Sequence, residues 1–383
     1  ARGSTYRNPP ANFYRATRKP IERAEAVAQL FLGTRVQCAQ CHNHPFDRWS
    51  QDDYYDWQSV FARVQYKVLE NRRRDSNDSH EFKGEQIVFI GGDAEVKNPR
   101  TGSRANPRFL GELETYSGQD DELAALARWL TAPDNPFFAR AQVNRIWYHL
   151  MGRGIVEPLD DFRASNPPSH PELIDALARD FVDHGYDLRQ TIRAIMNSRT
   201  YQASALPNET NAEDEANFSR SLVRRLTAEQ LVDSQSRALG SPVRLPGYPL
   251  GTRAVQMAGS LPERRRGGAA DVDQLLATFG KPPRLLPTEC ERSTEPTMGQ
   301  AFQMMNGPVL NDLLDAKENC LAQLSEKYGE ELIDELWWRS INRAPTGPEL
   351  AAAQKHLAEV PNRREAAEDL LWGLLNSKEF LFR

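Results

Sequence analysis

A C-x-x-C-H motif lies in the first part of the chain, at Cys38, Cys41 and His42. Two cysteines three residues apart place both sulfurs on one side of a helical turn. Each thiol can then form a thioether with one vinyl group of a single porphyrin, and His42 lies beside the macrocycle as the proximal iron ligand. The motif therefore predicts haem c bound covalently through Cys38 and Cys41, with His42 as the axial metal ligand.

Three other uses of the motif compete with haem. A thioredoxin-like dithiol requires a preceding strand in a βαβ unit, but the apolar residues of 21–31 recur at helical spacing. A zinc site needs four ligands, and the candidates are Cys38, Cys41, Cys290 and either His42 or His44. No second C-x-x-C pair and no H-x-x-x-H pair supports zinc. A structural disulfide is the third alternative.

Two further side chains are predicted to belong to the haem site. Trp49 follows the motif closely and could pack on the porphyrin. His149 is our first choice as distal ligand, and an open distal position fits the sequence equally well. The other candidates fit bland roles better, the methionines as core residues and His170 as a residue of a helix's first turn: Met257, Met298, Met304, Met305 and His170. His44 is too close to His42 to reach the distal face, so we expect it to donate a hydrogen bond or to act as a helix-end cation.

A pair of adjacent carboxylates, Asp160 and Asp161, precedes Arg163 in a predicted loop. Such a pair could bind a metal or serve acid/base chemistry, but a structural role is the favoured interpretation. No glycine-rich phosphate loop, nucleophile elbow or H-E-x-x-H zinc helix is present in the sequence. Whether the chain is an enzyme is left open at this point.

Composition excludes several classes of protein. The 383 residues, of which 39% are hydrophobic, are enough for two or three domains with substantial cores. The net charge is −5 and both signs are scattered along the chain, so we predict no binding of nucleic acid. No apolar run approaches the roughly 18 residues that a membrane-spanning helix needs, and we predict no membrane span.

The haem prediction has a consequence for location. Haem c is attached outside the cytoplasmic membrane, yet no secretory signal is visible at Ala1. We therefore expect a truncated or processed chain that acts in the periplasm or outside the cell.

Periodicity predicts a mainly α fold. Two helical patterns, at 21–37 and 52–68, flank the motif and place it in a helical hairpin. Apolar runs at 86–92 and 94–97, separated by a Gly-Gly-Asp turn, predict a small β-hairpin. Helical patterns resume at residue 120, so the predicted domains are the motif-bearing segment 1–66, a linker with the hairpin at 67–119, and a larger multi-helix domain at 120–383.

Local signals also predict two helix starts and one repeat. Ser169 with Glu172, and Thr227 with Gln230, have the spacing of capping boxes. A weak internal echo relates 171–201 to 348–380, and both copies end in Asn-Ser followed by a basic residue. Two copies indicate an old duplication of a helical unit, since a solenoid usually needs three or more.

Five segments of the chain resemble the planctomycete cytochrome-C-associated family: 31–55, 144–173, 217–233, 289–307 and 370–383. Proteins of this family contain two adjoining domains of unknown function, often behind a cytochrome c-like module. The first 65 or so residues resemble the carboxyl-terminal part of the first domain, and 120–383 resembles the second. The resemblance implies export, helical architecture and an association with haem.

One departure from the family bears on the metal. Family members tend to have Cys-Glu-Cys where this chain has Thr288-Glu289-Cys290. If that pair formed a metal site with Cys38 and Cys41, one ligand is missing here, which makes zinc harder to complete and favours haem.

Three functions follow from these observations. The first is an exported c-type haem protein that transfers electrons, with a redox partner protein or an upstream cytochrome module as its partner. The second is a haem- or metal-dependent enzyme that acts on an extracellular polymer such as a polysaccharide, because the chain is far larger than electron transfer requires. The third is a zinc-stabilised binding module.

Overall fold

The computed structural model describes residues 2–71, 84–117, 121–257, 271–282, 292, 295–324, 327 and 329–382. The chain divides into two compact units, Ala1–Leu222 and Val223–Arg383. The predicted mainly α class with a small antiparallel hairpin is confirmed. Because compact units are not sequence domains, the division into 1–66, 67–119 and 120–383 stays a prediction.

The first unit contains all the strands of the described residues. Its elements are, in chain order, β1 (Gly3–Ser4), α1 (Phe13–Ala16), α2 (Pro20–Phe31), α3 (Gln51–Ser59), β2 (Val64–Val68), β3 (Gln86–Ile90), α4 (Glu122–Leu130), α5 (Phe138–Met151), α6 (Pro171–Asp183) and α7 (Leu188–Met196). Short 3₁₀ turns lie at Pro9–Asn12 and Gln37–Gln40. The second of these turns carries the cysteine motif.

The predicted helical hairpin around the motif is formed by α2 and α3. Ser50 caps α3, because its Oγ accepts from Asp53 N at 3.1 Å while Asp53 Oδ2 accepts from Ser50 N at 2.8 Å. Trp57 of α3 is fully buried, and its Nε1 donates to Ala24 O of α2 at 2.8 Å. This contact ties the helices on either side of the motif to one another.

The β-hairpin is present, but its strands differ from those predicted. β3 pairs with β2 and with β1 in an antiparallel sheet of order β1-β3-β2, with Tyr66 opposite Val88. The helical pattern predicted through Val68 is therefore wrong beyond Ser59, and 94–97 is not an arm of the hairpin. In β3, Gln86 and Val88 are buried whereas Phe89 is exposed, and burial of every second side chain is typical of a strand.

A buried asparagine organises the loop after α5. Asn144 Oδ1 accepts from Ile155 N at 2.7 Å and Val156 N at 3.0 Å, and its Nδ2 donates to Val156 O at 2.8 Å. Ser169 Oγ donates to Ile155 O at 3.1 Å, so it does not cap α6 as predicted. Helix α6 instead begins at Pro171, with His170 at the N-cap position and no side-chain cap.

The regular elements of the second unit, over its described residues, are helices joined by loops and turns. Its helices are α8 (Ala228–Leu239), α9 (Asp271–Thr278), α10 (Met298–Asn306), α11 (Pro308–Asp315), α12 (Cys320–Leu324), α13 (Gly329–Ile341), α14 (Gly347–Glu359), α15 (Arg363–Leu375) and α16 (Lys378–Leu381), with a 3₁₀ turn at Ala254–Gln256. The predicted capping box of α8 is confirmed, since Thr227 Oγ1 accepts from Gln230 N at 3.3 Å and Gln230 Oε1 accepts from Thr227 N at 3.1 Å. Over the residues described, no helix is both long and apolar enough to cross a membrane.

The two copies of the internal echo have the same local structure. The first is the helix pair α6 and α7, and the second is the pair α14 and α15. In each pair the second helix starts at a side-chain cap, Asp187 or Asn362, and ends at an asparagine, Asn197 or Asn376. Matching helix ends agree with duplication of a helical unit.

Candidate cofactor-attachment site

The two cysteines of the motif lie on one side of a tight turn. Cys38 lies inside the 3₁₀ turn Gln37–Gln40, and Cys41 is the residue that follows it. A 3₁₀ turn has three residues per turn, so side chains at i and i+3 eclipse one another. Both cysteines are exposed and free, so one molecule in solvent can reach both sulfurs.

The first turns of α3 hold the motif in place. Gln40 O accepts from Gln51 Nε2 at 2.9 Å and from Tyr55 Oη at 3.1 Å. Asn43 Oδ1 accepts from Gln51 N at 3.0 Å. The main chain between the two cysteines is also anchored from below, because the side chain of Ala39 is completely buried. The exposed thiols are therefore presented by a constrained backbone.

His42 is held in one tautomer. Its Nδ1 lies 2.8 Å from Asn43 O, and since a carbonyl oxygen only accepts, Nδ1 must carry the proton. In the neutral imidazole the lone pair is then on Nε2, and the ring is exposed. This is the form in which a histidine coordinates a metal through Nε2, with its other nitrogen held by a backbone carbonyl.

His44 has the opposite arrangement. Its Nδ1 accepts a hydrogen bond from Phe46 N at 3.2 Å, so the proton of the neutral ring is on Nε2. Its backbone N donates to Trp49 O at 2.8 Å, which closes the loop after the motif. In this conformation His44 has no lone pair to offer to a metal, in contrast to His42.

Trp49 belongs to the core beneath the loop. Only 4% of the residue is exposed, the Arg48 guanidinium lies 4.6 Å from its ring centroid, and the Phe137 ring is 6.3 Å away. Its buried Nε1 has no hydrogen-bond partner in the described part of the chain. Trp49 thus supports the loop from inside, and its contact with a porphyrin stays a prediction.

The structure places His149 at the opposite end of α5 from Phe137. Phe137, which precedes α5, contacts Trp49, whereas His149 is near the far end of the same helix and its exposed ring lies beside Tyr148. A rise of 1.5 Å per residue separates Phe137 from His149 by about 18 Å along the axis. The remaining distal candidate in this unit, His170, accepts or donates at Ser169 Oγ, 3.0 Å from its Nδ1.

The paired carboxylates have structural partners. Asp160 is buried and accepts from the Arg35 guanidinium and from Gln29. Asp161 pairs with Arg163, with 3.1 Å between Oδ2 and Nη2. These contacts attach the loop after α5 to the residues that precede the cysteines, and they account for both charges without a metal.

Two residues important to this site were not singled out from the sequence. Asn43 orients His42 through its backbone carbonyl, and its side chain accepts a hydrogen bond from the first residue of α3. Its position directly after the motif is the sequence signal that could have identified it. Arg163 lies over the exposed ring of Phe46, 5.7 Å from its centroid. Nothing local in the sequence connects Arg163 with Phe46.

The zinc alternative is not completed by any described residue. Cys290, the proposed third thiolate, lies outside the described residues. Among the residues that are described, no group of three or more His, Cys, Asp or Glu side chains could hold a metal ion. A covalently attached haem requires only one coordinating side chain and two thiols, and Cys38, Cys41 and His42 fit that donor set.

Two family models match the chain. PSD1, described as a protein of unknown function (DUF1553), matches residues 123–357, which is more than half of the chain. PSCyt2, also described as a protein of unknown function (DUF1549), matches residues 5–66 and so includes the cysteine motif. No curated protein and no solved structure is significantly similar to this chain.

Proposed function

This chain belongs to the PSD1 family and carries the PSCyt2 domain as its partner, the planctomycete cytochrome-C-associated pair, and on that premise we propose an exported c-type haem protein that transfers electrons. One observation carries the proposal: two free, exposed thiols share one side of a turn, next to an imidazole whose Nε2 lone pair is available. The alternatives of an enzyme and of a zinc module lack a comparable observation.

Each residue of the site has a separate task. Cys38 and Cys41 would anchor the porphyrin through two thioethers, and His42 would hold the iron through Nε2. Asn43 keeps the His42 ring in the required tautomer. When bound, haem supplies a one-electron couple between ferric and ferrous iron. Because haem c is attached outside the cytoplasmic membrane, the proposal includes a periplasmic or extracellular location.

The test is covalent attachment. The chain is produced behind an export signal together with a cytochrome c maturation system, and its intact mass and reduced pyridine haemochrome spectrum are recorded after denaturation. We expect a mass increase of one haem, which the double variant Cys38→Ala/Cys41→Ala abolishes. Cys320→Ala is the matched control, because this buried thiol belongs to the core of the second unit. A colourless chain, or haem retained by the double variant, would contradict the proposal.

The axial ligand is tested in the same way. His42→Ala should change the visible spectrum of the loaded protein, whereas His149→Ala should leave it unchanged because His149 lies at the distant end of α5. A spectral change in His149→Ala would show that this residue is the distal ligand. His44→Ala serves as a second control, since its Nδ1 is occupied by Phe46 N.

A further inference from the structure

The second unit has a cavity that is independent of the cysteine motif. It has a volume of about 550 Å³ and lies between α8 and the segment 242–255. This size is within the range of pockets that hold small molecules. Part of its lining is apolar, from Leu226, Val243 and Leu245.

The wall of this cavity is fixed to α8 at both ends. At one end, Asp233 Oδ1 accepts from Ala254 N at 2.6 Å and its Oδ2 accepts from Val255 N at 3.2 Å. At the other end, Ser236 Oγ donates to Ser241 O at 2.7 Å. The segment therefore does not need to be ordered by a ligand, and the cavity is largely preformed.

The cavity has an excess of positive charge. Arg237 of α8 and Arg253 of the facing segment both line it, and both are exposed. Within the part of the chain that the structure describes, neither guanidinium has an ion-pair or hydrogen-bond partner. The carboxylate of Asp233 is already engaged by two backbone N–H groups. Two guanidiniums thus outnumber the one carboxylate of the lining, Asp233, in a chain whose net charge is −5, which favours an anionic ligand.

The remaining polar lining consists of hydroxyl and amide groups. Ser234 and Thr252 contribute hydroxyls, and Gln230 contributes a side-chain amide. Such groups can donate to and accept from the hydroxyls of a ligand. A planar guanidinium fork matches a carboxylate, which it can bind through two hydrogen bonds.

We propose that this cavity binds a hydroxylated organic acid of monosaccharide size, that is, a sugar acid. Its carboxylate pairs with Arg237 and Arg253, its hydroxyls meet the Ser234 and Thr252 side chains, and its carbon skeleton lies on the apolar lining. The proposal does not depend on haem, because none of its residues belongs to the cysteine motif.

The test uses two pairs of sugars that differ only at C6, where the uronate has a carboxylate and the neutral sugar has a hydroxymethyl group. Galacturonate and glucuronate are titrated into the full chain by calorimetry, with galactose and glucose as the neutral partners. We expect at least one of the two uronates to bind at least tenfold more tightly than its neutral partner. Arg237→Ala and Arg253→Ala should each weaken that binding about tenfold, and Arg237→Lys should weaken it less because the charge is kept.

A third arginine provides the control. Arg244 is exposed in the same segment but does not line the cavity, so Arg244→Ala should leave affinity unchanged. The proposal fails if neither uronate binds at concentrations up to about 10 mM. Equal binding of the neutral sugars, or an equal loss in Arg244→Ala, would also overturn it. Circular dichroism of each variant checks that its fold is intact.

Discussion

Arg35 donates to Asp160 Oδ1 from both Nε and Nη2, at 3.0 and 2.5 Å. The two residues are far apart in the chain, and Arg35 lies three positions before Cys38. The same carboxylate accepts from Gln29 of α2. Through Asp160, the loop after α5 therefore holds both the end of α2 and the segment that leads into the cysteine turn.

Asp160→Asn should lower the free energy of unfolding of the chain by about 2 kcal/mol, because a buried acceptor of charged hydrogen bonds is lost. Urea denaturation followed by circular dichroism measures the change. Asp52→Asn is the matched control, since the Asp52 and Arg100 side chains are 46% and 55% exposed and such pairs contribute less than about 1 kcal/mol. Similar losses in the two variants would show that burial of Asp160 does not matter.

We expect Glu25 to make the stability of the chain decrease with rising pH. Burial raises the pKa of Glu25 above its ordinary value, although the hydrogen bond from Tyr54 Oη, 2.7 Å from Oε1, partly opposes this. A raised carboxyl pKa contributes stability below the ordinary value of about 4.3, and this contribution is lost as pH rises through the folded-state pKa. Unfolding free energies of Glu25→Gln should therefore fall less than those of the native chain between about pH 4 and pH 7.

A second variant checks the cause of this effect. Tyr54→Phe removes the hydrogen bond that lowers the pKa of Glu25, so its stability should fall more steeply over the same pH range. Parallel pH profiles for Glu25→Gln and the native chain would rule out a raised pKa at Glu25.

We expect the contribution of Glu229 to stability to depend on pH in the opposite direction. Burial opposes ionisation of this carboxyl, but Arg292, which donates to both oxygens at 3.0 Å, lowers its pKa below the ordinary value. A lowered pKa contributes stability above about pH 4.3, which is lost as pH falls through the folded-state pKa. Glu229→Gln should be about 2 kcal/mol less stable at pH 7 and should lose less stability on acidification. Glu335, whose side chain is 32% exposed and pairs with Arg339 and Lys327, provides a less buried control variant, Glu335→Gln, with a loss below about 1 kcal/mol.

Gly33 is required next to the cysteine turn. Its φ is +65°, and a Cβ added there would lie 2.6 Å from Phe162 Cδ2. Gly33→Ala should cost about 3 kcal/mol, from backbone strain and from the contact with the ring. Gly102 has a similar φ of +70° with nothing near its added Cβ, so Gly102→Ala should cost only about 1 kcal/mol. Thermal unfolding of both variants compares them, and equal costs would mean that Phe162 moves aside freely.

Local signals predicted the helices better than the strands. The Thr227 cap was predictable because its partner, Gln230, is three residues away. The Ser169 cap was not, because its hydroxyl donates to a carbonyl fourteen residues earlier in the chain. The run 64–68 was assigned to a helix because its strand character depends on pairing with 86–90, a contact that local periodicity does not contain.

At the candidate site, too, local spacing predicted some features, whereas others depend on the tertiary structure. The three motif residues were found from spacing alone, whereas the tautomer of His42 depends on where the Asn43 carbonyl points. The position of His149 depends on the direction of α5 relative to the loop at Trp49. The sequence therefore indicated which residues form the candidate site, but it did not indicate how their side chains are oriented.

The exposure of the cysteine turn also bears on the stage of folding at which haem could be attached at the proposed site. Both thiols and the imidazole already face solvent on the finished surface, so attachment does not require the polypeptide to open. Haem attachment at the proposed site could therefore take place on the folded chain, where a maturation enzyme would meet two exposed thiols on a constrained turn.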